Sequence, residues 1–277
     1  MASAARRAPA LAAALLAGAA CAHGPPRNLS RDPSALLDQV LAAQRRVERV
    51  RGTARVRIQS PSLSGTVTEL VAAEKPDRVH LETLDFFGDP AAVLVAGGGR
   101  FALWDAREKV FYRGAATPAN VSRLLPFDLP VEELVTILCG SAPILPGAPL
   151  EVGAEDAVVL LTIGQGEIGQ RLGLGEHATV VSSQVRRELP PGAAPSEGRV
   201  GYDLAFERFV DRGGVRFPNV TELDAATSRS RVELSWRDLE VNGAPDAELF
   251  QLSPPPGARV VDVDREPPAR VLPTAPE

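Results

Sequence analysis

Gly164-Gln165-Gly166-Glu167-Ile168-Gly169 has the G-x-G-x-x-G spacing of a loop that cradles a pyrophosphate, and it follows the apolar run AVVLLTI. That chemistry needs a helix to open at the last glycine, so that backbone N–H groups converge on the phosphates. Gly173 and Gly175 interrupt any such helix, and the segment reads instead as a glycine-rich hairpin. The three histidines, His23, His80 and His177, have no partner at metal-ligand spacing, and no C-x-x-C pair or G-x-S-x-G elbow occurs. Cys139, beside Leu138 in an apolar helical stripe, has the setting of a small buried residue rather than of a nucleophile. The residue types therefore offer no catalytic group, no metal set and no cofactor loop, and a non-enzymatic role is expected.

In place of reactive groups the chain carries apolar surface in two arrangements. Leu84-Asp85-Phe86-Phe87-Gly88-Asp89-Pro90 sets two adjacent phenylalanines at a hairpin tip. Adjacent side chains of a continuing strand point to opposite faces, so one of Phe86 and Phe87 should be exposed unless the loop folds back. The second arrangement is Thr117 to Gly140, which reads as two short helices. Thr117 and Pro118 open the first, Val121, Leu124 and Leu125 share a face, and Pro126 stops it. Pro130 opens the second, Glu132 and Glu133 suit its positive end, and Val131, Leu134, Val135 and Leu138 form its stripe. Gly140 is placed to take the left-handed closing position. Helices this short are unstable alone in water, so their apolar faces need a sheet to cover.

The rest of the chain supplies it. A helix opened by Asp32-Pro33 is expected to run to Gly52, with Leu36, Leu37, Val40, Leu41, Val47 and Val50 near helical period. Strands are expected at Ala54 to Gln59, Gly65 to Ala73, Pro76 to Leu84, Pro90 to Ala96, Arg100 to Asp105 and Val110 to Arg113. Ser141 to Asp156 reads as an irregular connection. Further strands are expected at Ala157 to Ile163, Ala178 to Glu188, Arg199 to Val210, Val215 to Asp224 and Ser230 to Val241, with a helical turn in Ala244 to Phe250. Short turns between successive strands mean an antiparallel meander. The fold class is α+β: one curled antiparallel sheet, an unclosed β-barrel, with an N-terminal helix and a two-helix lid. With hydrophobic residues at 44% but aromatics at 5%, Leu, Val and Ala must fill most of the core. Whether Val56, Ile58, Val79, Leu81, Phe206 and Trp236 meet the lid in a dry core or around a cavity is left open by periodicity.

The ends of the chain read differently. Arg6 and Arg7 followed by the apolar stretch Ala8 to Ala17 and the small residues Gly18-Ala19-Ala20 form an export signal over residues 1–20. Cys21 follows directly. The junction resembles a bacterial lipobox, with Gly18 where leucine is usual, and the resemblance implies a lipidated Cys21 on a tether of residues 21–31. Ala22 after the cysteine implies the outer membrane of a Gram-negative bacterium, periplasmic face. Without the leader, 28 basic residues stand against 35 acidic ones, which argues against nucleic acid as a partner. Residues 254–277 hold seven prolines and are expected to be largely unstructured. The half-barrel domain is placed at 32–253.

The order of these pieces resembles the outer-membrane lipoprotein receptor LolB and its periplasmic carrier relative LolA. The likeness rests on LDFFGDP between two strands, TPANVSRLL…LPVEELVTILCG, and SRVELSWRDLEVNGAPDAELFQLSPPPG, and it spans roughly Asp32 to Val263. It implies a lipid-binding cavity formed by Val56, Ile58, Val79, Leu81, Val121, Leu124, Leu125, Leu134, Leu138, Phe206 and Trp236, filled by acyl chains of lipoproteins. It also implies a membrane-contact loop at Phe86 and Phe87, a periplasmic carrier protein as a partner, no cofactor and a monomeric chain. Two alternatives stay beside it: a carrier of another lipid or hydrophobic small molecule, and a structural or sensor lipoprotein using the fold for protein contacts.

Overall fold

A computed structural model of the chain describes residues 24–61, 63–121, 129–187, 200–226 and 228–265. Helix α1 is Pro33–Arg45, with Asp32 accepting from the N–H of Ala35 at 2.8 Å. It ends seven residues earlier than the expected Gly52. The Arg46 N–H turns back to the Ala43 carbonyl, and Val50 is already in a strand, opposite Val241 on one side and Ala73 on the other. The β-branched residues after Arg46 bury better in a pleated ladder than on a helix.

Six strands follow as a meander: β1 (Arg49–Gln59), β2 (Ser64–Glu74), β3 (Arg78–Leu84), β4 (Pro90–Gly97), β5 (Arg100–Asp105) and β6 (Val110–Ala115). Helices α2 (Pro118–Val121) and α3 (Val131–Leu138) come next. The second half is β7 (Ala148–Glu155), β8 (Val158–Gln165), β9 (Ile168–Leu174), β10 (Val180–Arg187), β11 (Tyr202–Arg212), β12 (Val215–Ala225), β13 (Ser230–Val241) and β14 (Arg259–Asp262). Three of these strands are not as expected. β7 lies where an irregular connection is expected, and its Pro149 and Gly153 are tolerated because it is an edge strand. β9 is the return arm of the Gly164–Gly169 hairpin, which turns at Gly166 with φ +62°. β14 lies inside the stretch expected to be unstructured. It pairs in parallel with β6, and Asp264 just beyond it accepts from the Ala115 N–H at 3.0 Å and the Asn120 side chain at 2.9 Å. Residues 266–277 lie outside the described residues.

The described strands form one sheet in the order β14-β6-β5-β4-β3-β2-β1-β13-β12-β11-β10-β9-β8-β7. Every neighbouring pair except β14–β6 is antiparallel, the two halves meet at β1–β13, and the edges β14 and β7 do not pair, so the barrel stays unclosed. Alternation fixes one inner face: Val56, Val71, Leu81, Leu94 and Leu103 from the first half, Trp236, Leu223, Leu204, Leu172 and Leu161 from the second. α1 packs on β7 and β8, and α3 on β2 and β3. β4 is buried on both faces because the one-turn 3-10 helix Ala247–Phe250 covers its outer side, held by a 2.7 Å hydrogen bond between His80 Nδ1 and the Leu249 carbonyl.

Candidate functional site

The inner face is not filled everywhere. Between α3 and the sheet lies a cavity of about 110 Å³ whose walls are almost wholly apolar. Val56 and Ile58 come from β1, Leu81 from β3, Trp236 from β13, and Leu134 and Leu138 from α3. These six are where the sequence places cavity residues. Val79, Val121 and Phe206 are buried too, but in the packed core and not among the lining residues. Val79 stands opposite Ala73 on β2 and Ala96 on β4. Leu124 and Leu125 lie outside the described residues, as does Cys21.

Seven lining residues are additional: Glu69, Val71, Ile137, Thr221, Leu223, Val232 and Leu234. Most follow from the alternation of β2, β12 and β13. Glu69 is the notable one. In GTVTELVAA it shares the phase of Val67 and Val71, and so it points inward. Its Oε1 accepts from the Thr83 hydroxyl at 2.6 Å, while Oε2 is cut off from solvent and has no partner, although the residue as a whole is only half-buried. Burial pushes the carboxyl up to about 7, Glu82 adds to this, and the Thr83 hydrogen bond opposes it.

The lid is held unevenly. At its C-terminal end Gly140 has φ +77°, and a Cβ there would meet Pro218 at 2.8 Å and the Phe217 ring at 2.9 Å. Phe217 in turn packs edge-on to Trp236, ring centres 6.4 Å apart. Beyond it Gln44 donates to the Ala142 carbonyl at 2.8 Å. Buried Gln170 donates to the Pro143 carbonyl and accepts from the Leu145 N–H, both at 2.7 Å. At the N-terminal end Pro130 gives no side-chain cap. The tie there is a short hydrogen bond donated by the Tyr202 hydroxyl to Glu133, whose acceptance, together with burial, raises the phenol above its ordinary range. Burial likewise pushes the Cys139 thiol up to about 12 against the opposing charge of Lys75, so it stays protonated and unreactive.

A larger space of about 380 Å³ lies by the end of α1 and the turn at Glu176–Ala178. Two of its charged side chains have partners: Arg216 pairs with Glu176 at 3.1 Å, and Arg46 donates to the Gly214 carbonyl at 2.7 Å. Its lining mixes these polar groups with Val47, Val180, Phe209 and Val215, so it is less uniformly apolar than the space under α3.

Both phenylalanines of the β3–β4 turn face solvent, Phe86 at 87% and Phe87 at 85% exposure, with their rings edge-to-face at 5.6 Å. The strand rule that would hide one of them does not apply, because the chain leaves β3 at Leu84. Asp85 ties the turn by accepting from the N–H groups of Phe87 (2.8 Å) and Asp89 (2.9 Å), and Gly88 takes φ +90°. Among the described residues no helix is long and apolar enough to cross a membrane, and no metal-holding cluster occurs.

No protein-family model matches the sequence, and no curated protein does. Solved structures match the fold. A DUF1329 family protein from Desulfovibrio piger is 11% identical with a TM-score of 0.53, over 80% of this chain and 98% of its own. A domain assigned to outer membrane lipoprotein sorting, from Vibrio parahaemolyticus, is 13% identical with a TM-score of 0.54, over 78% and 95%. A LolA superfamily protein from Nitrosomonas europaea is 10% identical with a TM-score of 0.51, over 78% and 97%. The chain shares the fold of these proteins, an incomplete barrel with a helical lid.

Proposed function

We propose that this protein is a lipid-anchored, periplasm-facing carrier that takes acyl chains of lipoproteins into the space under α3 and helps insert them into the outer membrane. The observation that carries this reading is the apolar cavity between a sheet and a lid whose N-terminal end is held by the hydrogen bond from Tyr202 to Glu133. About 110 Å³ is below the roughly 300–1,000 Å³ of a ligand pocket, so a whole acyl chain enters only as α3 swings out about its Gly140 end. The fold shared with a lipoprotein-sorting domain and a LolA superfamily protein supports the same reading.

Leu138→Glu tests the cavity. It sets a carboxylate against Trp236 and Val56, and an unpaired buried charge costs several kcal/mol unless it is protonated or moves out. The expected outcome is loss of lipopeptide binding, measured by native mass spectrometry, with the fold retained by circular dichroism. Unfolding in step with lost binding would make Leu138 part of a dry core. The anchor has its own test. A single acyl chain binds membranes only marginally and several hold stably, so Cys21→Ala should shift the protein from membrane to soluble fraction and abolish palmitate labelling.

A further inference from the structure

We infer that Oε2 of Glu69 is the recognition atom of the cavity and binds the carbonyl oxygen of an acyl ester or amide whose hydrocarbon chain fills the apolar space. The inference rests on the acyl-chain reading above and names the chemical feature that a ligand must carry.

A carboxyl in an apolar wall needs partners for both oxygens. Glu69 has one: the Thr83 hydroxyl, on Oε1 at 2.6 Å. Oε2 is shielded from water and unpaired, on a residue that lines the cavity. The groups around it decide what it can bind. α3 presents Leu134, Ile137 and Leu138, β13 presents Trp236 and Leu234, β12 presents Thr221, and β1 presents Val56 and Ile58. From β3 come Thr83 and the carboxylate of Glu82, itself against His80 at 3.3 Å. Among the described residues no lysine, arginine or histidine lines the cavity, so only the Thr83 hydroxyl stabilises a carboxylate there. A hydrocarbon chain entering the space removes still more water and favours the neutral acid. Because Thr83 donates to Oε1, the proton belongs on Oε2. That leaves one unsatisfied hydrogen-bond donor in the wall of an apolar cavity, and a carbonyl oxygen is the acceptor an acyl chain brings with it.

The test uses two ligands that differ only in that carbonyl: lauroylglycerol and the dodecyl ether of glycerol. Calorimetry on the purified protein at about pH 6 should give the ester about fivefold to tenfold tighter binding, the worth of one good hydrogen bond. The preference should fade as the pH rises past about 7 and Oε2 loses its proton. Glu69→Gln keeps a donor at the same place, so the ester preference should survive and lose its pH dependence. Glu69→Leu should bind ester and ether alike, with ether affinity kept. Equal binding of the two by the wild type at about pH 6 overturns the inference and leaves the acyl-chain reading standing. Binding of neither ligand overturns both. A preference for dodecylammonium over the ester, growing with pH, also overturns it, since Oε2 would then act as an ionised acceptor.

Discussion

At the residue scale, environment rather than identity sets the chemistry. Cys139 has a reactive side chain that burial makes inert, while Glu69 has an ordinary one that burial makes unusual. The Glu69 carboxyl is raised from 4.5 to about 7, so the folded chain holds a proton that the unfolded chain releases. Its contribution to stability is therefore fully present below about pH 4.5 and is lost as the pH rises through about 7. A shift of this size corresponds to about 3 kcal/mol. Glu69→Gln should flatten the pH dependence of urea unfolding across that window and leave the variant more stable than the wild type at about pH 8. Parallel curves for the two proteins between about pH 4.5 and 7 would mean that the carboxyl reaches water. Glu69 was not singled out from the sequence, although the alternation of GTVTELVAA, with Val67 and Val71 in the same phase, is the signal that could have found it. What the sequence did not carry was that no cation among the described residues lines the cavity, because α3, β12 and β13 approach it from distant parts of the chain.

At the element scale, legibility followed locality. β5 and β13 are read with their observed ends, since period-two alternation and flanking turns bound them. α3 and the left-handed Gly140 were legible for the same local reasons, namely Pro130 before, an apolar stripe within and glycine after. α1 was overrun because Val47 and Val50 fit a helical period as well as a strand; pairing with β2 and β13 decides for the strand. β14 was hidden by proline-rich composition, and what orders it is long-range: the β6 edge and the Asp264 bonds to Ala115 and Asn120. The tie between Tyr202 and Glu133 is likewise a contact across 69 positions. It ties the Glu133 end of α3 by a single side-chain hydrogen bond, while Gly140 packs closely on Pro218 and Phe217 at the other. Tyr202→Phe removes about 1 kcal/mol from the closed state and should raise lid opening roughly fivefold. Stopped-flow uptake of a fluorescent acyl probe should accelerate accordingly. Unchanged uptake together with a stability loss would make this bond a plain brace.

At the scale of the whole molecule, the proposed carrier role raises the question of how a ligand would leave. The barrel is unclosed, and the cavity sits toward the end of the sheet where β3 turns into β4. Thr83, opposite Glu69 in the ladder, is three residues from Phe86, about 10 Å along an extended chain. The exposed aromatic pair thus stands on the rim nearest the cavity. Passing an acyl chain through water would expose each methylene at about 0.8 kcal/mol. A cavity mouth pressed against a bilayer avoids most of that cost, and two exposed rings on a turn pinned by Asp85 are suited to enter the interface, where apolar side chains bury about 5–10 Å deep. Neither ring packs on the core, so their replacement should leave the fold and acyl uptake unchanged. Phe87→Glu and Phe86→Glu should each slow transfer of a labelled lipoprotein from the purified protein to liposomes, and the double variant more so. Phe87→Leu, still apolar, should be mild. Equal transfer rates for the wild type and the double variant would remove the delivery role and leave a protein that binds acyl chains without handing them to a membrane.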